Sequence, residues 1–279
     1  MLFTDATELL PGLRAHLLEL LRDLSREDWS SGTSCPGWSV HDVATHLLAV
    51  DVGNLAVRRD RWVPEPAAPA DADAWLDDYN GQWVRAARRL SPELIIELLA
   101  SVGSALDRYL TSLDLHARGG PVGWATGAEP APVWLDVARE YMERFVHQQQ
   151  IRDAVGRPDL PPEFLAPVLV TAAHALPVAL RAHPRPSGTV VRFTATGPGG
   201  GTWDVVAHDG TWSLSAPTTA TPTCGARTSA RDALRLFVRD PAAPRLTIDG
   251  DQELGEALQH SKAVLGGPRG PEHVAATAL

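Results

Sequence analysis

The sequence predicts two domains of different class, an all-helical bundle followed by a smaller α+β domain. In the first half, apolar residues recur mainly at helical spacing, and Pro/Gly-rich stretches separate the segments. In the second half, short segments alternate apolar and polar residues, as strands do. The chain has 279 residues, with 44% hydrophobic and 21% charged, which is typical of folded proteins. We therefore expect a multidomain α and α+β protein, divided into residues 1–158 and 159–279.

Helices account for the first half. Ser39, with Asp42 three residues later, forms a capping-box pattern that starts one of them. Gly156 followed by Pro158 is a stop signal for the last. The expected helices lie at 5–25, 39–58, 75–90, 92–114 and 133–156. The Pro/Ala/Asp-rich stretch 63–74 and the Gly/Pro-rich stretch 116–132 are expected to be loops.

Strands and helices mix in the second half. Asp209-Gly210 joins two alternating segments and is a strong hairpin signal. The expected strands lie at 189–196, 201–210, 211–216 and 245–248, and the expected helices at 162–183, 229–239 and 251–265. This order is typical of a small α+β domain.

Charge and cysteine content exclude several classes of function. A formal net charge of −9 repels phosphate backbones and anionic lipid, so neither nucleic acid nor membrane is an expected partner. Two distant cysteines, Cys35 and Cys224, give no disulfide framework, and the N-terminus lacks the pattern of a signal peptide. The apolar stretch 164–180 is interrupted by Pro167 and Pro177, which indicates a buried, kinked helix. We expect a cytoplasmic monomer.

Three side chains are candidates for a metal site. Glu143 and His147 lie four residues apart, so a helix projects them side by side. Taken alone, Glu143 and His147 are typical of a solvated polar helix face, and His46 is typical of a histidine at the edge of a core. If His46 meets them from its own helix, two imidazoles and one carboxylate form a site of the kind found in helix bundles. Such a ligand set is typical of catalytic zinc and also suits non-haem iron.

Neighbouring residues have structural interpretations. His41, near the start of its helix, is expected to be exposed. Cys35 is interpreted as a small residue packed beside Trp38 rather than as a reactive thiol or an additional ligand. Cys224 has no nearby partner in the sequence and is interpreted in the same way.

Segments in both halves resemble the mycothiol-dependent maleylpyruvate isomerase family. In the first half these are DWSSGTSCPGWSVHDVATHLLAVD (28–51), with its His-Leu pair at 46–47, and the E-x-x-x-H helix in EYMERFVHQQQIRDAVGRP (140–158). In the second half, DALRLFVRD (232–240) and LTIDGDQEL (246–254) are similar to the family's C-terminal domain. The resemblance implies a DinB-like four-helix bundle followed by a small α+β domain similar to sterol carrier proteins.

The resemblance also implies the ligands and cofactors. A divalent metal, usually zinc, would be held by His46, Glu143 and His147, and mycothiol would serve as the thiol cofactor. Arg239 matches an active-site arginine of the family, although Val rather than the usual Gly precedes it. An Asp commonly follows the last ligand by three residues, where this chain has Gln150.

The chemistry implied is that of a metal-activated thiol. The metal lowers the pKa of the cofactor thiol, and the thiolate adds to an activated cis double bond. Bond rotation and elimination then give the trans isomer, whereas stopping after addition gives a thiol S-transferase. Arg239 would stabilise the carboxylate or enolate of the substrate. Because no cysteine is expected at the site, the nucleophile would come from the cofactor.

Two other functions stay open from the residues themselves. One is a non-catalytic binding or regulatory protein on the same fold, with a closed metal site. The other is an iron enzyme that uses two histidines and one carboxylate.

Overall fold

The structure is a computed structural model that describes residues 1–62, 72–238, 240 and 242–263, with the side chains of 72–77 left out. It contains helices and two sheets, which confirms the predicted multidomain α and α+β class. Contacts divide the described residues into two compact units. The helical unit comprises the described parts of Asp5–Gly120 and Ala131–Leu160, and the sheet unit comprises Met1–Thr4, Pro121–Pro130 and the described residues from 161 onward. The boundary at 158 stays a prediction.

Most of the strands lie in the second half of the chain. The helices are α1 (Leu10–Arg22), α2 (Arg26–Ser30), α3 (Val40–Asn54), α4 (Ala72–Ala87), α5 (Pro92–Thr111), α6 (Gly123–Thr126), α7 (Val133–Ala154), α8 (Pro162–Ala172), α9 (Leu176–Ala179), α10 (Ala230–Phe237) and α11 (Gln252–Leu258). The strands are β1 (Arg118–Pro121), β2 (Pro130–Pro132), β3 (Val190–Thr196), β4 (Gly201–His208), β5 (Thr211–Ser215), β6 (Cys224–Ser229) and β7 (Thr247–Gly250).

Four helices form the bundle of the helical unit. Helices α1 and α3 each pack against both α5 and α7, which closes a ring of four, and α4 packs against α3. Each of the four contributes an apolar stripe to one core, for example Leu17, Leu47, Leu99 and Ile151. Burial of these stripes is what stabilises the bundle, since isolated helices of this length are marginal in water.

The start of α3 is fixed by its predicted cap. The backbone amide of Asp42 donates to Ser39 Oγ at 3.3 Å, and the amide of Ser39 donates to Asp42 Oδ2 at 3.1 Å. A π-helical turn over Leu55–Arg59 continues α3, so the helical course reaches the predicted end near residue 58. The cap fixes where α3 begins, and His46 lies on this helix.

The sheet unit is built on five strands in the order β5-β4-β3-β6-β7. Strands β3 and β6 are parallel, and the other neighbouring pairs are antiparallel. The predicted hairpin between β4 and β5 is present, with φ values of 46° at Asp209 and 78° at Gly210. Two positive φ values are what a type I′ turn requires.

Three regions differ from the sequence prediction. The expected helix over 162–183 is divided into α8 and α9 by a 3-10 turn at Ala173–Ala175, because Pro177 cannot continue the backbone hydrogen bonds of a single helix. The expected loop at 116–132 contains β1, α6 and β2, and strand β6 and helix α2 were not predicted. The expected loop at 63–74 falls outside the described residues, apart from the positions where α4 begins.

One apolar segment passes a length and hydropathy test for a membrane span. It is Pro162–Ala179, with a mean hydropathy of 1.3 over 18 residues, half of them buried. Val168, Leu169 and Leu176 are buried in the core of the sheet unit. Core helices of soluble proteins pass the same test, and the packing confirms the predicted buried, broken helix. The cytoplasmic location stays a prediction.

Candidate metal centre

The bundle brings the three predicted candidate ligands together. His46 lies on α3, and Glu143 and His147 lie one turn apart on α7, the neighbouring helix in the ring. Their exposed fractions are 5%, 8% and 9%. The three side chains are therefore buried, and they do not form the solvated polar face that their sequence alone permits.

The three donor atoms converge on a small volume. Nε2 of His46 lies 3.1 Å from Glu143 Oε1, and Nε2 of His147 lies 3.1 Å from the same oxygen. All three donor atoms lie within 4.8 Å of one another. Two nitrogens and a carboxylate oxygen in this arrangement can hold a metal ion.

The electrostatics of this cluster favour positive charge. Burial by itself raises the pKa of Glu143, but interactions with His147 and His46 outweigh it and hold that pKa well below its usual range. Burial by itself lowers the pKa of His147, but the neighbouring Cys35 and Glu143 outweigh it and raise that pKa to about 10. A buried carboxylate that stays ionised beside two imidazoles attracts a proton or a cation.

Two further side chains contact His147 on its other edge. Nδ1 of His147 donates to Gln150 Oε1 at 2.8 Å, and the Cys35 thiol donates to the same oxygen at 3.1 Å. The sulfur lies 4.0 Å from His147 Nδ1. Cys35 packs against the apolar core of the bundle, as Trp38 does. The loop before α3 also brings its thiol to the cluster. Gln150 also belongs to the cluster's surroundings.

An aromatic ring packs against His46. The ring of Trp38 lies 5.0 Å from that of His46, centroid to centroid, and the two imidazoles lie 4.8 Å apart at a steep angle. Trp38 thus packs against a candidate ligand and limits how far the His46 ring can turn. A sequence reading places Trp38 near the entry to α3 but does not show this contact.

The second histidine of α3 has a different role. His41 donates a hydrogen bond through Nε2 to the carbonyl oxygen of Leu90 at 3.0 Å and packs edge-on against Trp29 at 5.9 Å. It is half-buried rather than exposed, so that expectation is wrong. Its contacts tie α3 to the residues before α5 and make it a structural histidine.

Two residues remain of those that the sequence singles out, Arg239 and Cys224. Arg239, the candidate for substrate binding, lies outside the described residues, so its role stays a prediction. Cys224 is fully buried in β6, as expected of a small core residue, and burial raises the pKa of its thiol to about 11. A thiol with that pKa stays protonated and is a poor nucleophile at neutral pH.

A second polar cluster in the bundle was not predicted. We call it the charge network, and it consists of Arg14, Arg139, Arg144, Asp51, Asp107 and Glu140. The only sequence signal for it is the presence of charged residues, such as Arg14 beside Leu13 and Leu17, on otherwise apolar helix faces. Position alone does not show that these charges pair.

Arg14 is the centre of the charge network. Its guanidinium donates to both carboxylate oxygens of Asp107, at 2.7 and 2.9 Å, and to Asp51 at 2.8 Å. Arg144 donates to the other oxygen of Asp51 at 2.7 Å. Gly103 provides the space for Arg14, since a Cβ at that position would lie 1.7 Å from Nη1.

The fold and the cluster define a class of protein. It is a four-helix bundle with two imidazoles and a carboxylate on facing helices, accompanied by an α+β unit. The family model described as "Mycothiol maleylpyruvate isomerase N-terminal domain" matches residues 10–152, just over half of the chain. The chain belongs to this family.

Solved structures show the same fold at low sequence identity. A crystal structure of the mycothiol-dependent maleylpyruvate isomerase is similar, with a TM-score of 0.53, 12% identity and coverage of 87% of this chain and 91% of that one. A histidine-to-alanine mutant of that enzyme gives a TM-score of 0.52 at the same identity and coverage. At this identity the likeness concerns the fold. No curated protein matches the chain.

Proposed function

We propose that the protein is a metal-dependent enzyme that uses mycothiol to isomerise an activated cis double bond or to transfer the thiol to an electrophile. His46, Glu143 and His147 are the proposed ligands, and zinc is the proposed ion. The observation that carries the proposal is the convergence of their three donor atoms within 4.8 Å. Membership of the family supports the choice of thiol and reaction.

The donor set fits a catalytic divalent ion. Tetrahedral zinc with bonds of 2.0–2.1 Å requires neighbouring ligand atoms about 3.3 Å apart. The two imidazole nitrogens lie 3.1 Å from Glu143 Oε1, which is within a few tenths of that spacing. All three donor atoms lie within 4.8 Å of one another, so the ligands would draw closer together around an ion. Three protein ligands also leave a position for a further group, as catalytic zinc sites do.

Each residue has a defined task in this proposal. A divalent ion held there supplies positive charge that lowers the pKa of a neighbouring thiol. His46 and His147 present Nε2 from two helices, Glu143 contributes the one negative charge, and Trp38 limits the movement of His46. The buried setting strengthens these electrostatic interactions because little water screens them.

The thiol acts as a nucleophile and, in isomerisation, also as a leaving group. Its addition forms one carbon–sulfur bond, and rotation followed by elimination breaks that bond again, so isomerisation consumes no thiol. If elimination does not follow, the thiol stays on the product as a transferred group. Arg239 is proposed to bind the carboxylate or enolate of the substrate.

A single assay separates the two reactions. Metal-loaded protein is incubated with mycothiol and a panel of cis-enoyl carboxylates and electrophiles, and the products are analysed by mass. Isomerisation leaves the mass of the substrate unchanged, whereas transfer adds the thiol. We expect one of these products with wild type and with His41→Ala, and neither with His46→Ala. Absence of both turnover and mycothiol binding would favour the non-catalytic alternative.

The donor set itself favours one second candidate. Two histidines and one carboxylate also form the ligand set of non-haem iron enzymes. Metal analysis of protein purified without an affinity tag decides between the ions. Zinc at one equivalent per chain supports the thiol enzyme, and iron at one equivalent supports the alternative.

A further inference from the structure

We infer that Gln150 is a positioning residue that fixes the His147 imidazole in the orientation that presents Nε2 to a metal ion, and that Cys35 holds the Gln150 amide in place. The inference deepens the proposed function and rests on it. It concerns the edge of the His147 ring that faces away from Glu143.

Two donors converge on one amide oxygen. Gln150 lies three residues after His147 on α7, so their side chains are neighbours on the helix. Its Oε1 accepts from His147 Nδ1 at 2.8 Å and from the Cys35 thiol at 3.1 Å. A carbonyl oxygen has two lone pairs and can accept both hydrogen bonds at once.

The orientation of this amide determines which ring nitrogen is free for a metal. With the oxygen toward the ring, Nδ1 carries the proton and the neutral imidazole presents a lone pair at Nε2, the atom 3.1 Å from Glu143 Oε1. With the amide reversed, its NH₂ group would face Nδ1, and the ring proton would move to Nε2. A metal ion could then not bind at that nitrogen.

Cys35 favours the productive orientation. Its S–H donates to the oxygen of Gln150 at 3.1 Å, whereas a reversed amide would offer the sulfur an NH₂ group, for which sulfur is a weak acceptor. The thiol contacts the Nδ1 edge of the ring, opposite the edge that faces Glu143, so it supports the amide and does not join the ligands. The loop fixes its place, because the amide of Cys35 donates to Thr33 Oγ1 at 3.2 Å and its carbonyl accepts from the amide of Trp38 at 3.0 Å.

The neutrality of Gln150 affects the charge of the centre. A divalent ion with Glu143 as the one anionic ligand leaves a net charge of +1. A carboxylate at residue 150 would cancel that charge, whereas the amide of Gln150 orients His147 without doing so. The arrangement thus favours an anionic fourth ligand, which a thiolate is.

The test is zinc affinity, measured by competition with a chromophoric chelator. We expect Gln150→Leu, which removes the acceptor, to weaken zinc binding about 10–100-fold, the range typical of partners that orient a ligand histidine. Gln150→Glu retains an acceptor and is expected to bind zinc at least as tightly as wild type. Cys35→Ser, which keeps a donor, should bind more tightly than Cys35→Ala.

A spectroscopic readout tests the orientation directly. In protein loaded with cadmium-113 and labelled with nitrogen-15, we expect the metal to couple to Nε2 of His147 while Nδ1 carries a proton. Coupling to Nδ1 would overturn the inference. A folded Gln150→Leu variant that binds zinc within twofold of the wild-type affinity would also overturn the inference. A purely structural role for Gln150 predicts that result.

The outcomes also separate this inference from the proposed function. If wild type binds no zinc, or if His46→Ala binds it as well as wild type does, the proposed metal site fails and the inference with it. If His46→Ala abolishes binding while Gln150→Leu does not weaken it, only the inference fails. Should Gln150→Leu not fold, the Cys35→Ser and Cys35→Ala pair decides, and equal affinities would overturn the role of Cys35.

Discussion

The charge network and the candidate metal centre lie in the same bundle, about one turn apart along α3 and α7, but their charges are balanced differently. In the charge network, three arginines pair with three carboxylates. In the metal centre, Glu143 is the one carboxylate, and its partners are the imidazoles of His46 and His147. Asp51 belongs to the first cluster and lies five residues after His46, so the difference is local.

The difference agrees with a structural role for the charge network and with the ligand-binding role proposed for the candidate metal centre. Buried ions are costly unless they are paired, and the charge network pairs them with fixed cations. The metal centre has no such arginine partner among the described contacts of Glu143, and its positive charge must come from a proton or an ion. The paired ions of the charge network stabilise one structure. The candidate metal centre, in contrast, leaves a place for a ligand.

The largest expected effect comes from breaking the charge network. Arg14→Met leaves Asp51 and Asp107 buried with fewer partners, and we expect a loss of about 3–5 kcal/mol in the free energy of unfolding. Urea unfolding measures it. Arg88→Met is the matched control, because Arg88 is largely exposed where it pairs with Asp42, and it should cost much less than Arg14→Met. Similar losses for the two variants would contradict the structural role of the network.

The next effect comes from the buried histidine His174. His174 donates to the backbone carbonyls of Val170 and Thr171, and burial lowers its pKa to about 4. Because the unfolded chain takes up this proton near pH 6.5 and the folded chain does not, stability is lost as the pH falls from 6.5 toward 4. The shift corresponds to about 3 kcal/mol at most.

The measurement is the free energy of unfolding against pH. In His174→Asn the slope between pH 6.5 and 4 should be shallower than in wild type. An unchanged slope would show that His174 does not resist protonation, and the contrast with His147, whose pKa is raised beside Glu143, would fail.

Gly103→Ala tests the space that the charge network needs. The added methyl group conflicts with the Arg14 guanidinium, and we expect a loss of about 1–3 kcal/mol despite the better helix propensity of Ala. In the Arg14→Met background the conflict disappears, so the same substitution should cost less. If the losses in the free energy of unfolding add up in the double variant, residue 103 and Arg14 are not in contact.

The smallest expected change in stability is at the metal centre. Glu143→Gln keeps a hydrogen-bonding side chain of similar size. Unlike the arginines of the charge network, the two imidazoles can release a proton when the carboxylate charge is lost, so no unpaired charge stays buried and the metal-free variant should lose about 1 kcal/mol. The measurement is urea unfolding in the presence of a strong chelator. A loss as large as that of Arg14→Met would mean that Glu143 mainly stabilises the fold.

Local signals in the sequence predicted much of the fold. The Ser39–Asp42 capping box and the Asp209-Gly210 turn act within a few residues, and both occur as expected. Strand β6 was missed because CGARTS is short and contains few residues that favour strands; its burial comes from pairing with β3 and β7. Helix α2 was missed because it is a single short element after its Ser25 cap.

The sequence predicts the candidate site only where local spacing determines it. Glu143 and His147 are four residues apart on one helix, so their spacing predicts that the two side chains are neighbours. That His46 joins them depends on the packing of α3 against α7, and that Cys35 reaches Gln150 depends on the loop before α3. Such contacts arise from tertiary structure, and residue spacing contains no information about them.

The most direct test of the account is calorimetric titration of metal-free protein with zinc. We expect wild type to bind one zinc ion per chain and His46→Ala to bind zinc at least about 100-fold more weakly. The effect is large because this variant removes a ligand, not a residue that orients one. His41→Ala, on the same helix, should bind as wild type does. No saturable binding by wild type, or equal binding by wild type and His46→Ala, would contradict the claim that this cluster is a metal site.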